Sequence, residues 1–234
     1  MFFDLNIKGS SLENNVAMAK QAFEYGWNHI NFSYGQNDFQ NALNFRNDLK
    51  DAIDIDFDYT LEIKSANINE IHKTVNRFRS KASCITVVGG DLKVNRACCE
   101  NIKVDVLSRP YFKRFDSGLN HVLAKEAVRN NVAVELSFKD VLKSYLSHRS
   151  KIISNFKDIY TLYRKFDFPL VLSSGAESVF DIRTTQDFTA FFKQTGLSSD
   201  EIDKSFISSK NILEFNENRD KMIFADVRRV DDEA

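Results

Sequence analysis

The feature that most constrains this chain is a repeated alternation of short β-rich segments with helical ones. Seven segments have the length and the β-branched or aromatic content of strands. They are residues 2–7, 28–33, 58–64, 83–88, 104–108, 132–138 and 169–174. Because helical stretches separate them, the sequence predicts right-handed β-α-β units and a parallel sheet.

Several of these strands alternate apolar with polar side chains, as residues 3–8, 59–64 and 132–137 do. A sheet covered by helices on both faces has mostly apolar strands instead. An apolar face toward an outer ring of helices and a partly polar face toward an enclosed centre is typical of a barrel. We therefore predict an α/β fold, a TIM-like (β/α) barrel that is irregular at its eighth strand. Residues 179–182 and 222–227 are the candidates for that strand.

Two helix starts carry capping signals. Ser10 with Glu13 predicts a capping box at the first helix, and Ser198 with Glu201 predicts another at the last, which should reach about Arg219. Spacings of four, three and four predict one buried face on the first helix, formed by Leu12, Val16, Ala19 and Phe23.

The organisation along the chain is simple. No linker or low-complexity stretch divides the 234 residues, which suffice for one sizeable core. We expect one barrel domain over residues 1–219 and a charged, disordered C-terminal tail over residues 220–234. No apolar run approaches the roughly 18 to 20 residues of a membrane span, and no secretory signal precedes Asp4. Three cysteines, two of them adjacent, fit neither a disulfide framework nor a zinc site, so we expect the cytoplasm.

The sequence gives little support to a metal site or to a catalytic nucleophile. The four histidines, His29, His72, His121 and His148, form no close ligand pair, and no nucleophile elbow or phosphate-binding glycine loop occurs. The carboxylates of Asp4, Glu62 and Glu135 could hold Mg²⁺ at a barrel mouth, but Lys8 and Lys64 are placed to neutralise them. We expect no catalytic residue and no cofactor, and favour a paired polar network inside the barrel. A phosphoesterase with a carboxylate metal site is the alternative.

Charge is unevenly distributed along the chain. The formal net charge of −1 lacks the basic excess of a protein that binds nucleic acid by itself. Yet residues 73–114 carry ten Lys and Arg against three acids, and residues 139–165 carry seven against two. The compensating acids lie in residues 48–58 and 231–234. This asymmetry predicts one basic side suited to phosphate and another side free for a protein, with an ordinary solvated surface as the alternative.

Three strand ends have distinctive residues. "SRPYFKRF" (108–115) mixes cations with aromatic residues, as surfaces that contact RNA backbone and unstacked bases do. Its alternative is a loop whose aromatic side chains pack inward. "VVGGD" (87–91) and "SSGAE" (173–177) could form small anion-binding turns or ordinary turns between strand and helix.

Together these segments resemble the archaeal ribonuclease P protein component 3 family, the counterpart of the eukaryotic thirty-kilodalton subunit. The resemblance runs from residue 2 to about 219, and its most specific part is "SSGA" followed by Asp181, Ile182 and Arg183. The other matching segments are "FFDLNIK", "LEIK", "RP", "VAVELSF", "DFTAFFKQTGLS" and "NILEFNENR". The resemblance implies a TIM-like barrel related to the polymerase-and-histidinol-phosphatase metal hydrolases. It also implies a place in a ribonucleoprotein endoribonuclease whose RNA removes the 5′ leader from precursor tRNA.

The first strand differs from the corresponding motif of the metal hydrolases to which the resemblance relates this chain. Where those enzymes have Asp-Leu-His-x-His, this chain has Asp4, Leu5, Asn6, Ile7 and Lys8, so both histidine ligands are absent. We therefore expect the chain alone to bind no transition metal and to cut no RNA, and to act only as a subunit of ribonuclease P. Replacing Asp4 by Ala should reduce stability more than activity.

Candidate RNA contacts are cations expected in loops that follow strands. The leading candidates are Arg109, Arg114 and Arg183, followed by Arg96, His121 and Lys165, with Lys113 in the same loop as the first two. The resemblance implies as partners the ribonuclease P RNA, a small protein subunit with an RNA-recognition-like fold, other ribonuclease P proteins and, indirectly, precursor tRNA, but no membrane. A purely protein-binding scaffold is a third possibility. Phe188, Phe191 and Phe192 could anchor a partner, or pack onto the barrel instead.

Overall fold

All seven predicted strands are present in the computed structural model, which describes residues 1–219, 222–224 and 227–228. They differ from the predicted bounds by at most two residues. The strands are β1 Phe3–Lys8, β2 His29–Gly35, β3 Asp56–Ile63, β4 Cys84–Val88, β5 Val106–Ser108, β6 Ala133–Ser137 and β7 Leu170–Ser173. They pair in parallel in chain order, from β1 to β7, so the barrel prediction is confirmed.

Helices connect the strands and surround the sheet. They are α1 Leu12–Glu24, α2 Gln36–Asn44, α3 Arg46–Ala52, α4 Ile68–Phe78, α5 Leu92–Cys99, α6 His121–Arg129, α7 Phe138–Leu142, α8 Leu146–Phe166, α9 Thr185–Thr195 and α10 Ser199–Glu217. Within the described residues, none of them is both long and apolar enough to cross a bilayer.

One of the two predicted capping boxes is confirmed. Ser198 caps α10, and the Glu201 side chain accepts the Ser198 N–H in return. At α1 the prediction was wrong by one residue. Ser11 is the cap and accepts the Asn14 N–H, whereas the Ser10 hydroxyl accepts the Asn14 side-chain amide. Two adjacent serines leave the choice of cap to the tertiary structure.

The buried face of α1 is also turned from the predicted one. Leu12 and Val16 are only half-buried, and the Phe23 ring is 53% exposed. The buried side chains are Asn15, Met18, Ala19 and Ala22. Asn15 belongs to this face because its amide bonds the Tyr34 hydroxyl on β2. The prediction considered only apolar residues and therefore missed the buried Asn15. The predicted stripe consequently lies to one side of the observed buried face.

The sheet closes without an eighth strand in the described part of the chain. The candidate at 179–182 is wrong, because Val179–Asp181 forms a 3₁₀ helix. In the other candidate, β8 Met222–Phe224 pairs antiparallel with β9 Val227–Arg228 as a separate two-stranded sheet. The rest of residues 220–234 lies outside the described residues, so the division into a barrel domain (1–219) and a charged tail stays a prediction.

Hydrogen bonds from loop residues join β7 to β1 instead. The Lys8 N–H donates to the Ala176 carbonyl over 2.7 Å. Four residues earlier in β1, the Asp4 carboxylate accepts the Ser174 N–H at 3.2 and 3.3 Å. A side chain therefore replaces part of the ladder that an eighth strand would provide.

Two apolar clusters lie on either side of the sheet. The larger one fills the space between the strands and the helices. The smaller one lies within the barrel and consists of Phe3, Leu5, Cys84, Val106, Ala133, Val171, Ile212 and Leu213. The last two belong to α10, which therefore covers the end of the barrel where the strands begin.

The predicted alternation breaks in β1. Its register against β2 shifts between Asp4 and Ile7, as at a β-bulge. Before the shift Leu5 lies in the inner apolar cluster, and after it Ile7 lies in the outer one. The extra residue leaves Asn6 facing inward beside Leu5, where it meets the polar residues at the other end of the barrel.

The loop after β5 folds over the end of β4 and requires a glycine. Asn95 of α5 accepts the Gly90 N–H at 3.0 Å and donates to the carbonyls of Pro110 and Gly118 at 3.0 and 2.8 Å. Gly118 has a φ of +66°, and a Cβ there would lie 2.0 Å from the Pro110 oxygen. Only glycine fits this position without moving the loop.

We expect Gly118→Ser to lower the free energy of unfolding by about 2 kcal/mol or more, through the backbone strain and the clash with Pro110. Urea denaturation measures the difference. Gly35→Ser is the matched control, since a Cβ at Gly35 meets nothing within 4 Å. Equal stability of the two variants would contradict this account of the loop.

Candidate functional site

A polar network fills the barrel where the strands end. The buried Glu135 accepts the Asn6 side-chain amide at 2.7 Å and the Ser173 hydroxyl. The Lys8 ammonium donates to the Asn6 side-chain oxygen at 2.8 Å and ion-pairs with Glu62. Strands β1, β3, β6 and β7 are thus joined through their inward side chains. The network matches the paired arrangement that the sequence favours.

The neutralising role expected of Lys64 is wrong. Its side chain is exposed and forms no ion pair with another described residue. Lys8 alone pairs with Glu62. Although burial by itself would raise the pKa of Glu62, the Lys8 ammonium holds that pKa below its usual value.

The residues at this mouth do not fit a metal ion. Asn6 turns its amide hydrogens toward Glu135, and the Lys8 ammonium lies between Glu62 and the Asn6 oxygen. A divalent cation would therefore meet a positive charge and already engaged carboxylates. Among the described residues, no three His, Cys, Asp or Glu side chains are grouped to hold a metal. The geometry gives no support to the phosphoesterase alternative.

The "SSGAE" turn binds a carboxylate of the same chain, that of Asp4. The Asp4 carboxylate accepts the N–H groups of Ser174 and, at 3.1 Å, of Asn6. Burial raises the pKa of Asp4 to about 6, although these hydrogen bonds favour the charged form. Gly175 has a φ of +61°, and a Cβ there would lie 2.4 Å from the Ser137 hydroxyl. The turn is thus closed to an external phosphate.

A second set of charges joins the loops after β5 and β6. The Arg109 guanidinium pairs with Asp140 at 3.0 Å, and both side chains are only 12% exposed. The Tyr111 hydroxyl donates to Asp140 at 2.9 Å and accepts the Ser137 N–H. Arg109 also lies over the Phe112 ring, 4.5 Å from its centroid. These contacts fix the loop after β5 against α7.

A third set joins α7 to the loop after β7. Lys139 and Lys143 both ion-pair with Glu177, and Lys143 lies 3.3 Å from Asp181. Partial burial alone would raise the pKa of Glu177, but hydrogen bonds from the two ammonium groups lower it to about 2. The sequence analysis missed this bridge. Its signal was two lysines four residues apart, on one face of a short helix.

Of the leading RNA candidates, Arg109 and Arg114 lie on the loop after β5 at this end of the barrel, whereas Arg183 lies further along the segment after β7, where its carbonyl accepts the Trp27 indole N–H at 3.0 Å. Arg109 is largely enclosed by its ion pair. Arg114 binds Asp116 and donates to the Gly90 carbonyl at 3.1 Å. Arg183 donates to the backbone carbonyls of Phe180 and Ile182 at 2.7 and 3.0 Å. Lys113 is exposed beside the Phe112 ring. Their contact with RNA stays a prediction.

The other three candidates are more scattered. Arg96 is exposed on α5 and pairs with Glu100 at 2.7 Å, and His121 is the exposed first residue of α6. Lys165 lies in the last turn of α8, just before β7. It is therefore at the opposite end of the barrel, so the expectation that it follows a strand is wrong.

The aromatic residues of α9 mostly pack inward. Phe188 and Phe192 are fully buried, and their ring centroids lie 4.9 Å apart. Phe191 is half-buried, 4.7 Å from the Phe138 ring. The alternative of packing onto the barrel is confirmed for at least two of the three. Phe188 and Phe192 cannot anchor a partner without unfolding α9.

The sequence profile of the family described as RNase P subunit p30 matches residues 1–221. Ribonuclease P protein component 3 of Methanothermobacter thermautotrophicus is 39% identical over 231 residues, which cover 97% of this chain and 94% of that protein.

Two solved structures are also similar to this chain. A chain in a cryo-EM structure of archaeal ribonuclease P with mature tRNA has a TM-score of 0.86 and 28% identity, covering 99% of both chains. A probable 2-pyrone-4,6-dicarboxylic acid hydrolase of Acinetobacter baumannii has a TM-score of 0.61 and 11% identity, covering 91% of this chain and 98% of that one. The second likeness concerns the fold alone.

We expect Asp4→Asn to remove part of the pH dependence of stability. Because the folded pKa of about 6 exceeds the unfolded value of 3.8, the folded state holds the Asp4 proton more tightly. This contribution is complete below the unfolded pKa and is lost as pH rises through about 6. The unfolding free energy of the parent chain should therefore fall by about 1 kcal/mol more than that of the variant between about pH 5 and 8.

Chemical denaturation across this pH range measures the effect. Asp51→Asn, an exposed carboxylate on α3, is the control and should leave the slope unchanged. Parallel pH profiles for the parent and Asp4→Asn would show that Asp4 titrates alike in both states.

Proposed function

The chain belongs to the RNase P subunit p30 family and is therefore a protein subunit of ribonuclease P, and from this premise we propose how it supports removal of the 5′ leader from precursor tRNA. It binds the RNA component at the end of the barrel where the strands terminate, and a partner protein at the other end. The RNA performs the cleavage. The observation that carries the proposal is the excess of positive charge on three adjacent loops.

These loops follow β5, β6 and β7, and we name them the loop face: residues 109–120, 138–151 and 174–184. The loop face carries eight Lys and Arg against four Asp and Glu, a formal charge of 8 − 4 = +4. The four carboxylates already pair with cations of the same face. The remaining cations are therefore available to phosphate groups, whose counterions they displace.

The residues predicted to contact RNA have different proposed roles. Lys113 and Arg183 have no carboxylate partner in the described part of the chain and meet phosphate directly. Arg114, held by Asp116, contributes from the rim. Arg109 is a positioning residue, because its guanidinium is committed to Asp140. Arg96 and His121, on the two helices beside the loop face, extend the RNA surface; Lys165, at the opposite end, would contact RNA only outside it.

The partner is the small ribonuclease P subunit with an RNA-recognition-like fold that the family resemblance implies. The acidic segment 48–58 supports a place for it. Asp51, Asp54 and Asp56 are exposed in and after α3 and at the start of β3, at the barrel end opposite the loop face. None of them forms an ion pair with another described residue. A basic partner would complement this end and be repelled by the loop face.

The other partners that we propose are those that the family resemblance implies. Other ribonuclease P proteins share the particle, precursor tRNA is contacted indirectly, and no membrane is involved. The compartment we propose is the cytoplasm, supported by three cysteines that are all buried as free thiols.

We expect Lys113→Gln and Arg183→Gln each to weaken binding of the ribonuclease P RNA and to lower the salt slope of log K by about 1. Fluorescence anisotropy between about 50 and 200 mM salt measures both quantities. Lys165→Gln is the control at the opposite end. Unchanged slopes for both loop-face variants, or a lower slope for Lys165→Gln alone, would place the RNA elsewhere.

We expect the double variant Asp51→Lys, Asp54→Lys to bind the small partner subunit about tenfold more weakly or worse, since two attractions become repulsions. Size-exclusion chromatography with light scattering at micromolar concentration tests co-elution, and precursor-tRNA cleavage by the RNA component with both proteins tests function. Asp158→Lys, exposed on α8, is the control. Undiminished co-elution of the double variant would rule out this docking end.

A further inference from the structure

Three aromatic rings stand in solvent on the loop face. Phe115 is 92% exposed, Tyr145 is 75% exposed and Phe180 is 84% exposed. They come from the loops after β5, after α7 and after β7, so each of three neighbouring loops supplies one ring. Within the described part of the chain, none of them stacks on another aromatic ring, whereas the rings of the core contact one another extensively. These three are turned away from the barrel.

The loops that carry these rings are fixed to one another. Asp140 of α7 binds Arg109 and Tyr111 of the loop after β5. Lys143, directly after α7, binds Glu177 and Asp181 of the loop after β7. A surface held in this way loses little conformational freedom when a ligand binds, which favours affinity.

Cations lie close to these rings along the chain. The Arg149 guanidinium lies 5.6 Å from the Tyr145 ring centroid. Lys113 precedes Phe115 by two residues, and its ammonium lies 5.5 Å from the neighbouring Phe112 ring centroid. The Arg183 guanidinium donates to the Phe180 carbonyl. None of these three cations pairs with a carboxylate of the described residues. Arg149 and Arg183 donate to backbone carbonyls, which leaves their charge without a neutralising carboxylate among the described residues.

We propose that Phe115, Tyr145 and Phe180 form a platform on which unpaired RNA bases stack; this specifies, and rests on, the RNA-binding role proposed above. Exposed rings with unneutralised cations on the same loops match single-stranded RNA, whose bases offer π faces and whose phosphates offer negative charge. The uncompensated charge favours RNA over a basic protein partner. Because every base has a π face, the platform selects single-stranded RNA without reading its sequence.

The test uses the full chain with two labelled probes, a single-stranded RNA of about 12 nucleotides and a hairpin duplex of the same composition. We expect Phe115→Leu, Tyr145→Leu and Phe180→Leu each to weaken binding of the single strand by about tenfold, with a much smaller effect on the duplex and an unchanged salt slope. Leucine keeps the side chain apolar but removes the stacking face. Phe23→Leu, an exposed ring on α1, is the control.

A second measurement detects stacking directly. The only tryptophan, Trp27, is buried, so a tryptophan introduced by Tyr145→Trp reports separately on the platform. Its fluorescence should be quenched by the single strand and much less by the duplex. Tryptophan introduced by Phe23→Trp should be quenched by neither.

The outcomes separate this inference from the function on which it rests. If the parent chain binds neither probe, both proposals are overturned. If Lys113→Gln and Arg183→Gln weaken binding while the leucine variants do not, RNA binds the loop face without stacking, and only the platform is overturned. If the leucine variants bind RNA normally but fail to co-elute with the partner subunit, the rings are protein anchors, which also overturns it.

Discussion

The fold depends on the closure of a seven-stranded sheet between β7 and β1. One backbone hydrogen bond, from Lys8 to Ala176, and the buried carboxylate of Asp4 on the Ser174 N–H join these strands. Glu135 adds a side-chain connection through Asn6. A buried carboxylate is tolerated only while its donors remain in place, so the hydrogen bonds to Asp4 help to hold the barrel closed.

The same first strand separates this protein from the hydrolases whose fold it shares. The bulge turns Asn6 inward, and Lys8 follows on the same side. The Asn6 amide hydrogens bind one oxygen of Glu135, and the Lys8 ammonium pairs with Glu62 where a metal ion would otherwise lie. The mouth of the barrel is thereby a structural support. Its outer loops are cross-linked through Asp140 and Lys143.

The near-neutral net charge conceals an excess of positive charge on the loop face. On the loop face the carboxylates are engaged in ion pairs, so excess positive charge is directed outward. At the opposite end Asp51, Asp54 and Asp56 are exposed. This distribution of charge is the basis on which we propose RNA at one end of the barrel and a basic protein at the other.

The sequence by itself determined the seven strands, the loss of both histidine ligands at Asn6 and Lys8, and the two basic segments. All of these are local patterns, set by spacing along the chain. Only the tertiary structure decided how the barrel closes, that Arg109 is taken by Asp140, that Lys165 lies at the far end and that Phe180 is exposed. These features depend on which loops become neighbours when the sheet curls into a barrel. The spacing of residues along the sequence does not show which loops those are.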